Sequence, residues 1–267
     1  MANPLGFLKD ATQVLEMAYK DLAQPGIQQV GLALGNTLSL ANAITLPLKG
    51  WSEQKRMTFE NNMERVRKKL EHTDESKIIS VPPEIGVPII DKFTYISNEE
   101  ISNLFANLLA KASVTDTASL GHPGFLKMID NLSVDEAKMI QKLATNWERG
   151  RYIPFINYKG FFTTSEGESY RYIDAPLTGI EEGLNLLFEE NMGLYFQNLT
   201  SLGILEFNET GTLSPTHIYN ELAEFYYPLK DEMHTQLIYN GDFQRIAMEK
   251  GHFTVTDYGV KFIKACF

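Results

Sequence analysis

The side chains that could do chemistry in this chain are few and dispersed. Its five histidines are His72, His122, His217, His234 and His252. None stands at metal-ligand spacing from another histidine or from a cysteine, and no HExxH occurs. His122 lies in "GHPGF", where it could serve as a base or a ligand. The structural role, satisfying backbone at a helix start, is the simpler reading, because no nucleophile is placed near it. Glu99-Glu100, Glu181-Glu182 and Glu189-Glu190 look like acid/base dyads. Adjacent residues on a helix point about 100° apart, so they cannot share a proton. They read as solvated faces or as charges at helix N-termini. Neither GxxxxGK[ST] nor GxGxxG is present, and "GLALG" has only its two glycines in common with such loops. No nucleophile elbow is present either. No catalytic, cofactor-binding or metal-ligating residue is assigned, and no cofactor is expected. An enzyme whose site assembles from distant residues is the third option.

Composition narrows the partners. The chain has 267 residues, 43% of them hydrophobic, enough for a core and two domains. It carries 34 acidic and 24 basic residues, a formal charge of -10. Such a chain repels nucleic acid unless its cations are gathered in one place. From Tyr172 to Leu229 there are nine acidic residues and no Lys or Arg. That interval can neither neutralise phosphates nor read guanine, so no nucleic-acid partner is expected. The one cysteine, Cys266, makes no internal disulfide, which fits a reducing cytoplasmic interior. The opening "MANPLGFLKDATQVLEMAYKD" has no basic region followed by an apolar core, so no secretory signal is expected.

The elements that must position any site are mainly helical. Leu8, Ala11, Leu15, Ala18 and Leu22 recur at helical spacing, and Pro25-Gly26 ends that run. Ser52 is placed to cap a helix whose stripe is Phe59, Met63, Val66 and Leu70. Pro82, Pro83 and Pro88 mark 73–88 as a flexible linker. Ser97 with Glu100, and Ser133 with Glu136, fit capping boxes. The first of these helices carries Ile101, Leu104, Phe105, Leu108 and Leu109 on a wide face. A short helix spans Phe125 to Asn131. "RYIPFINYKGFFTTSEGESYRYID" reads as a hairpin turning at Ser165-Glu166-Gly167. Thr178 and Glu181 are placed to cap a helical region reaching Gly203, followed by a strand "ILEF". "HFTVTDYGVKFIKACF" reads as a strand entering a last helix, with Phe253, Val255, Tyr258 and Phe262 buried. The expected fold class is α+β, mainly helical. An N-terminal helical domain, 1–133, precedes a winged-helix-like domain, 134–267, with a β-hairpin insertion.

"PEIGVPIIDKFTYISNEEISNLFANLLAKASV" followed by "HPGFLKMIDNLSVDEAKMIQKL" resembles the abortive infection alpha family. The matching features are the acidic turn before "LFANLLA", "HPGF" after a loop, and "LSVDEA" opening the next helix. "GLALG…LPLKG" before them and "FTVTDYGVKFIKAC" at the end look like that family too. The resemblance implies a bacterial or phage-encoded role in defence against phage. It implies no catalytic residue.

One stretch divides the functional readings. "VGLALGNTLSLANAITLPL", Val30 to Leu48, runs nineteen residues without a charge. Its eight Val, Leu and Ile residues contribute about -2 to -5 kcal/mol to membrane insertion. Asn36, Thr37, Ser39, Asn42, Thr45 and Pro47 oppose this, so constitutive spanning is not expected. Gly31, Gly35, Ser39 and Ala43 form a row of small residues that lets another helix approach, from this chain or from a second copy in a homo-oligomer. Seven cations follow, Lys49, Lys55, Arg56, Arg65, Arg67, Lys68 and Lys69, against three glutamates. They read as a solvated helix face or as a polybasic segment at a membrane surface. The favoured function is a non-enzymatic sensor or interaction module that contacts a phage or host protein through the acidic, aromatic C-terminal part. The alternative is an effector that associates with the membrane on activation, using 30–48 and 49–69.

Overall fold

In the computed structural model, residues 15–16, 25–44, 51–145, 151–174, 176–214 and 216–267 are described, the side chains of 36, 38–44 and 227–230 excepted. They form two compact units, 1–137 with 261–267, and 138–260. The boundary expected from sequence did not anticipate that 261–267 goes with the helical part. The helix expected over 8–22 lies almost wholly outside the described residues.

In the first unit, α1 is Ile27–Ile44 and α2 is Glu53–Leu70. Ser52 starts α2 as expected, its Oγ accepting the Lys55 N–H at 3.2 Å. Phe59, Met63, Val66 and Leu70 are buried along one stripe. The segment read as a linker is built structure instead. It holds a 3₁₀ turn at Glu75–Lys77 and then α3, Pro83–Phe93. Pro83 suits a first helical turn, where its missing N–H has no partner to lose. Pro88 lies inside the helix and costs a hydrogen bond. Burial of Ile85, Ile89, Ile90 and Phe93 offsets that cost.

α4, Glu99–Ala112, buries Leu104, Phe105, Leu108 and Leu109. Its cap is Asn98, whose Oδ1 accepts the Ile101 N–H at 3.0 Å; Ser97 stands one residue too early. α5 is Pro123–Asp130 and α6 is Val134–Thr145. The Ser133 box that opens α6 is closed in both directions: the Ser133 N–H donates to Glu136 at 2.7 Å, and the Glu136 N–H donates to Ser133 Oγ at 3.2 Å. Asn62 ties α2 to the end of α3 by donating to the Phe93 and Ile96 carbonyls.

The second unit is built on a four-stranded antiparallel sheet in the order β2-β1-β4-β3. β1 is Tyr152–Thr164, β2 is Gly167–Tyr172, β3 is Leu205–Asn208 and β4 is Arg245–Val255. The hairpin turns where expected, with Gly167 at φ 125°. α7, Met192–Ser201, packs on one side through Phe196, whose ring stacks on Phe253 at 4.5 Å. α8, His217–Tyr239, supplies Tyr219 and Tyr226 to a separate cluster with Ile156 and Tyr158. The "ILEF" strand and the late strand do pair. The sheet is centred on the long β1–β4 pair, with the hairpin strand β2 at its edge.

The helix expected after Thr178 does not form before Met192. Thr178 Oγ1 does accept the Ile180 N–H at 3.2 Å, but Gly179 and Gly183 take φ +70° and +72° and turn the chain away from a helix. α9, Asp257–Cys266, ends the chain. Phe253, Val255 and Phe262 are buried as expected, whereas Tyr258 is 39% exposed.

Candidate functional site

The site is a groove in the second unit, and two tyrosines of α8 hang its walls. Tyr219 and Tyr226 stand seven residues apart, two helical turns, and so share a face. Both are buried. Tyr219 Oη accepts the Leu213 N–H at 2.9 Å, fixing the loop before α8. Tyr226 Oη accepts the Gly179 N–H at 3.0 Å and donates its own proton to the Glu181 carboxylate. Burial and that carboxylate push the Tyr226 phenol well above its ordinary pKa, so it stays a donor. The same loop is pinned to β1 by a two-way bridge between Ile156 and Leu177, both bonds 3.0 Å. Lys142 donates to the Ile180 carbonyl at 3.0 Å and to the Glu182 carbonyl.

Between these walls lies a cavity of about 680 Å³. Tyr152 and Pro154 of β1, Ile218, Leu222 and Phe225 of α8, and Leu213 give it an apolar lining. Glu182 and Glu221 are its charged residues among those described. Phe225 is 52% and Tyr152 54% exposed. The volume suits a drug-sized molecule or a few side chains of a peptide. The lining hydroxyl of Thr178 lies 3.5 Å from the Glu181 carboxylate and accepts the Ile180 N–H at 3.2 Å, a contact that shapes the loop. The groove can hold a cation with apolar surface around it.

A second cluster in this unit is structural. Lys159 is buried and pairs with Glu209 at 2.8 Å and Glu249 at 2.7 Å, and Tyr172 donates its hydroxyl proton to Glu209. Burial alone would lower the Lys159 pKa. The hydrogen bonds to Glu209 and Glu249 outweigh it and hold the ammonium well above the ordinary lysine range. A nucleophilic lysine needs the opposite, a depressed pKa. Lys159 therefore ties β1, β4 and the end of β3 together.

His122, His234, His252 and Cys266 have settings of their own among the described residues. His122 caps α5, its Nδ1 accepting the Gly124 N–H at 3.0 Å. His252 Nδ1 meets the Gly211 carbonyl at 2.7 Å, and His234 packs edge-on to Tyr158 at 4.4 Å. Cys266 is fully buried, which raises its thiol pKa.

Of the seven cations between Lys49 and Lys69, Lys49 lies outside the described residues. Lys55 stands 4.9 Å over the Trp51 ring, Arg56 pairs with Glu60 at 3.0 Å, and Arg65 with Glu99 at 2.8 Å. Arg67 is turned inward and cannot serve as a surface cation. It is buried, forks onto Glu64 at 2.7 Å, and donates to Glu71 at 2.8 Å and to the Pro25 carbonyl at 2.6 Å. Lys68 is exposed and Lys69 half-buried on the same helix.

Gly31, Gly35, Ser39 and Ala43 all fall on α1. The side chains of Ser39 and Ala43 lie outside those described. A Cβ built on Gly31 meets Leu15 Cδ1 at 3.6 Å, an ordinary contact, and one built on Gly35 meets no described atom within 4 Å. A close approach is seen at Gly86 of α3, where a Cβ would stand 2.6 Å from Thr37 Cγ2 of α1. Among the described residues, no helix is long and apolar enough to cross a membrane.

Comparison with known proteins gives three findings. No curated protein matches the chain. Among solved structures it is similar to an uncharacterized protein from the hydrocarbon-degrading marine bacterium Alcanivorax borkumensis SK2, 12% identical, with 57% of this chain and 94% of that one covered. The TM-score of that pair, 0.34, is too low to carry an argument about fold. The model of the abortive infection alpha family matches residues 54–266, nearly the whole described chain. The chain belongs to the abortive infection alpha family.

Proposed function

We propose that this protein acts in defence against phage as a non-enzymatic interaction module, and that the groove of its second unit takes a cationic, apolar segment of a phage or host protein. Membership of the family suggests abortive infection. The observation that carries the rest is the groove lining, which among the described residues joins Phe225, Tyr152 and Leu222 to Glu182 and Glu221 without a cation. Aromatic side chains give an interface most of its energy, and the carboxylates select a Lys- or Arg-bearing partner. Nine of the eleven lining residues fall in the interval free of Lys and Arg, which disfavours duplex DNA as a competing ligand. The membrane reading has no support in the described residues.

Plating of phage on bacteria that express the protein tests this function. Glu182→Lys with Glu221→Lys reverses the rim without touching the buried tyrosines. Protection should fall by about two orders of magnitude or more, the scale of several kcal/mol lost at paired charges. The melting temperature should stay within a few degrees, because both glutamates are exposed. Full protection by the folded double variant would remove the groove from the function.

A further inference from the structure

The first unit carries a second cavity, whose chemistry is opposite in sign. It measures about 580 Å³ and is lined by Asn61, Glu64, Arg65, Lys68 and Lys69 of α2 and by Glu99 and Asn103 of α4. Its carboxylates are already engaged. Glu64 receives the fork of Arg67, whose hydrogen bonds hold its pKa below the ordinary value. Glu99 receives Arg65 Nη1 at 2.8 Å. That leaves the ammonium groups of Lys68 and Lys69, which make no hydrogen bond or close ion pair among the described residues; Lys68 acts on Glu64 only through its charge. Arg65 Nε is shut off from solvent and is likewise without a hydrogen-bond partner. Burial pushes the Lys69 pKa down, and the charges of Lys111 and Arg65 push it the same way. Lys111 has its ammonium on the Lys264 carbonyl at 2.5 Å and does not relieve this crowding. A half-buried ammonium beside like charges is costly, and cations gathered around a cavity are stabilised by an anion that enters it.

We propose that this cavity binds a small molecule bearing a phosphate monoester. A phosphate dianion accepts several charge-assisted hydrogen bonds at once, and two ammonium groups, a guanidinium and the amides of Asn61 and Asn103 can supply them. The cavity is several times larger than bare phosphate, which leaves room for an organic group. Hydroxyls on that group can donate to Glu64 and Glu99, so a sugar phosphate or nucleotide fits better than an aliphatic one. The phosphate monoester headgroup of phosphatidic acid shares this chemistry, and the test separates the two sources. The inference rests on residues of the first unit alone and does not depend on the groove.

Phosphorus NMR titration and equilibrium dialysis on the full chain, with inorganic phosphate and then adenosine monophosphate as probes, decide it. Saturable binding is expected, tighter for the nucleotide. Lys68→Gln with Lys69→Gln should weaken it by roughly tenfold or more, as removal of two charge-assisted contacts does. That variant should melt no lower than wild type, since it removes a crowded cation. Neither probe saturating by about 10 mM, or equal binding by the double variant, would overturn the proposal. Co-sedimentation with vesicles containing phosphatidic acid, set against phosphatidylcholine vesicles, supplies the lipid arm. Binding to the anionic vesicles with no binding of either free probe also overturns it and assigns the cations to a membrane surface.

Discussion

Phe262→Asp will unfold the helical unit, although the residue stands five positions from the end of the chain. Phe262 is fully buried in that unit. Its ring meets Phe125 edge-on at 5.5 Å and lies 6.2 Å from Phe267. The Asn107 side chain fixes the Cys266 carbonyl at 2.7 Å, so the end of α9 has little freedom to swing out. Removing such a ring costs about 3–5 kcal/mol, and leaving an unpaired carboxylate in its place adds more. At about 2–4 °C per kcal/mol, melting followed by circular dichroism should fall by roughly 10 °C or more. Phe262→Leu, which keeps the site apolar, should lose less than half as much. A melt for Phe262→Asp within a degree or two of wild type would contradict the placement of 261–267 in the first unit.

The second large effect concerns glycine. Gly86→Leu must force α1 and α3 apart, because a Cβ there would stand 2.6 Å from Thr37 Cγ2 and 2.8 Å from Val81 Cγ1. Both neighbours are β-branched and stiff at their first torsion. The main chain is also held at this point, the Val81 N–H donating to the Ala33 carbonyl at 3.0 Å. Overpacking of this kind costs about 1–3 kcal/mol, and a full Leu falls at the upper end. For Gly35→Leu, where an added Cβ meets no described atom within 4 Å, a smaller loss is expected, within about 0.5 kcal/mol of wild type. Urea titration of the two variants gives the comparison. Equal loss from both would mean that α1 packs through its small-residue row after all.

These two sites show what the sequence carries and what it lacks. Features written in three or four neighbouring residues were legible. The Ser133–Glu136 box, the Ser52 cap, the stripe of α2 and the turn at Gly167 each depend only on local geometry. Pro82 to Pro88 misled because proline ends most helices, whereas here it starts one, and apolar burial carries the helix through Pro88. Thr178 misled in the other sense, since its cap contact forms and two left-handed glycines then divert the chain. Gly86 was not legible, because a close approach is a property of two helices and only one of them is local. The acidic, aromatic character of the groove could be read from the interval 172–229. Its walls could not, though a signal was present: Tyr219 and Tyr226, seven apart, with Ile218, Leu222 and Ala223 at helical spacing, mark α8 and its buried face. The basic segment was legible as charge but not as geometry. Only the fold shows that Arg67 is an internal strut and that Lys68 and Lys69 line a cavity.

The central claim is contact between the groove and a protein partner during infection, and site-specific photo-cross-linking measures that contact. Phe225→p-benzoylphenylalanine puts the reactive group in the groove, and the same residue at Tyr239, 89% exposed, serves as the control. In infected cells the Phe225 position should give a discrete protein adduct that the Tyr239 position does not give. Adding Glu182→Lys and Glu221→Lys should erase it. No adduct at Phe225, or one that survives the charge reversal unchanged, would contradict the account.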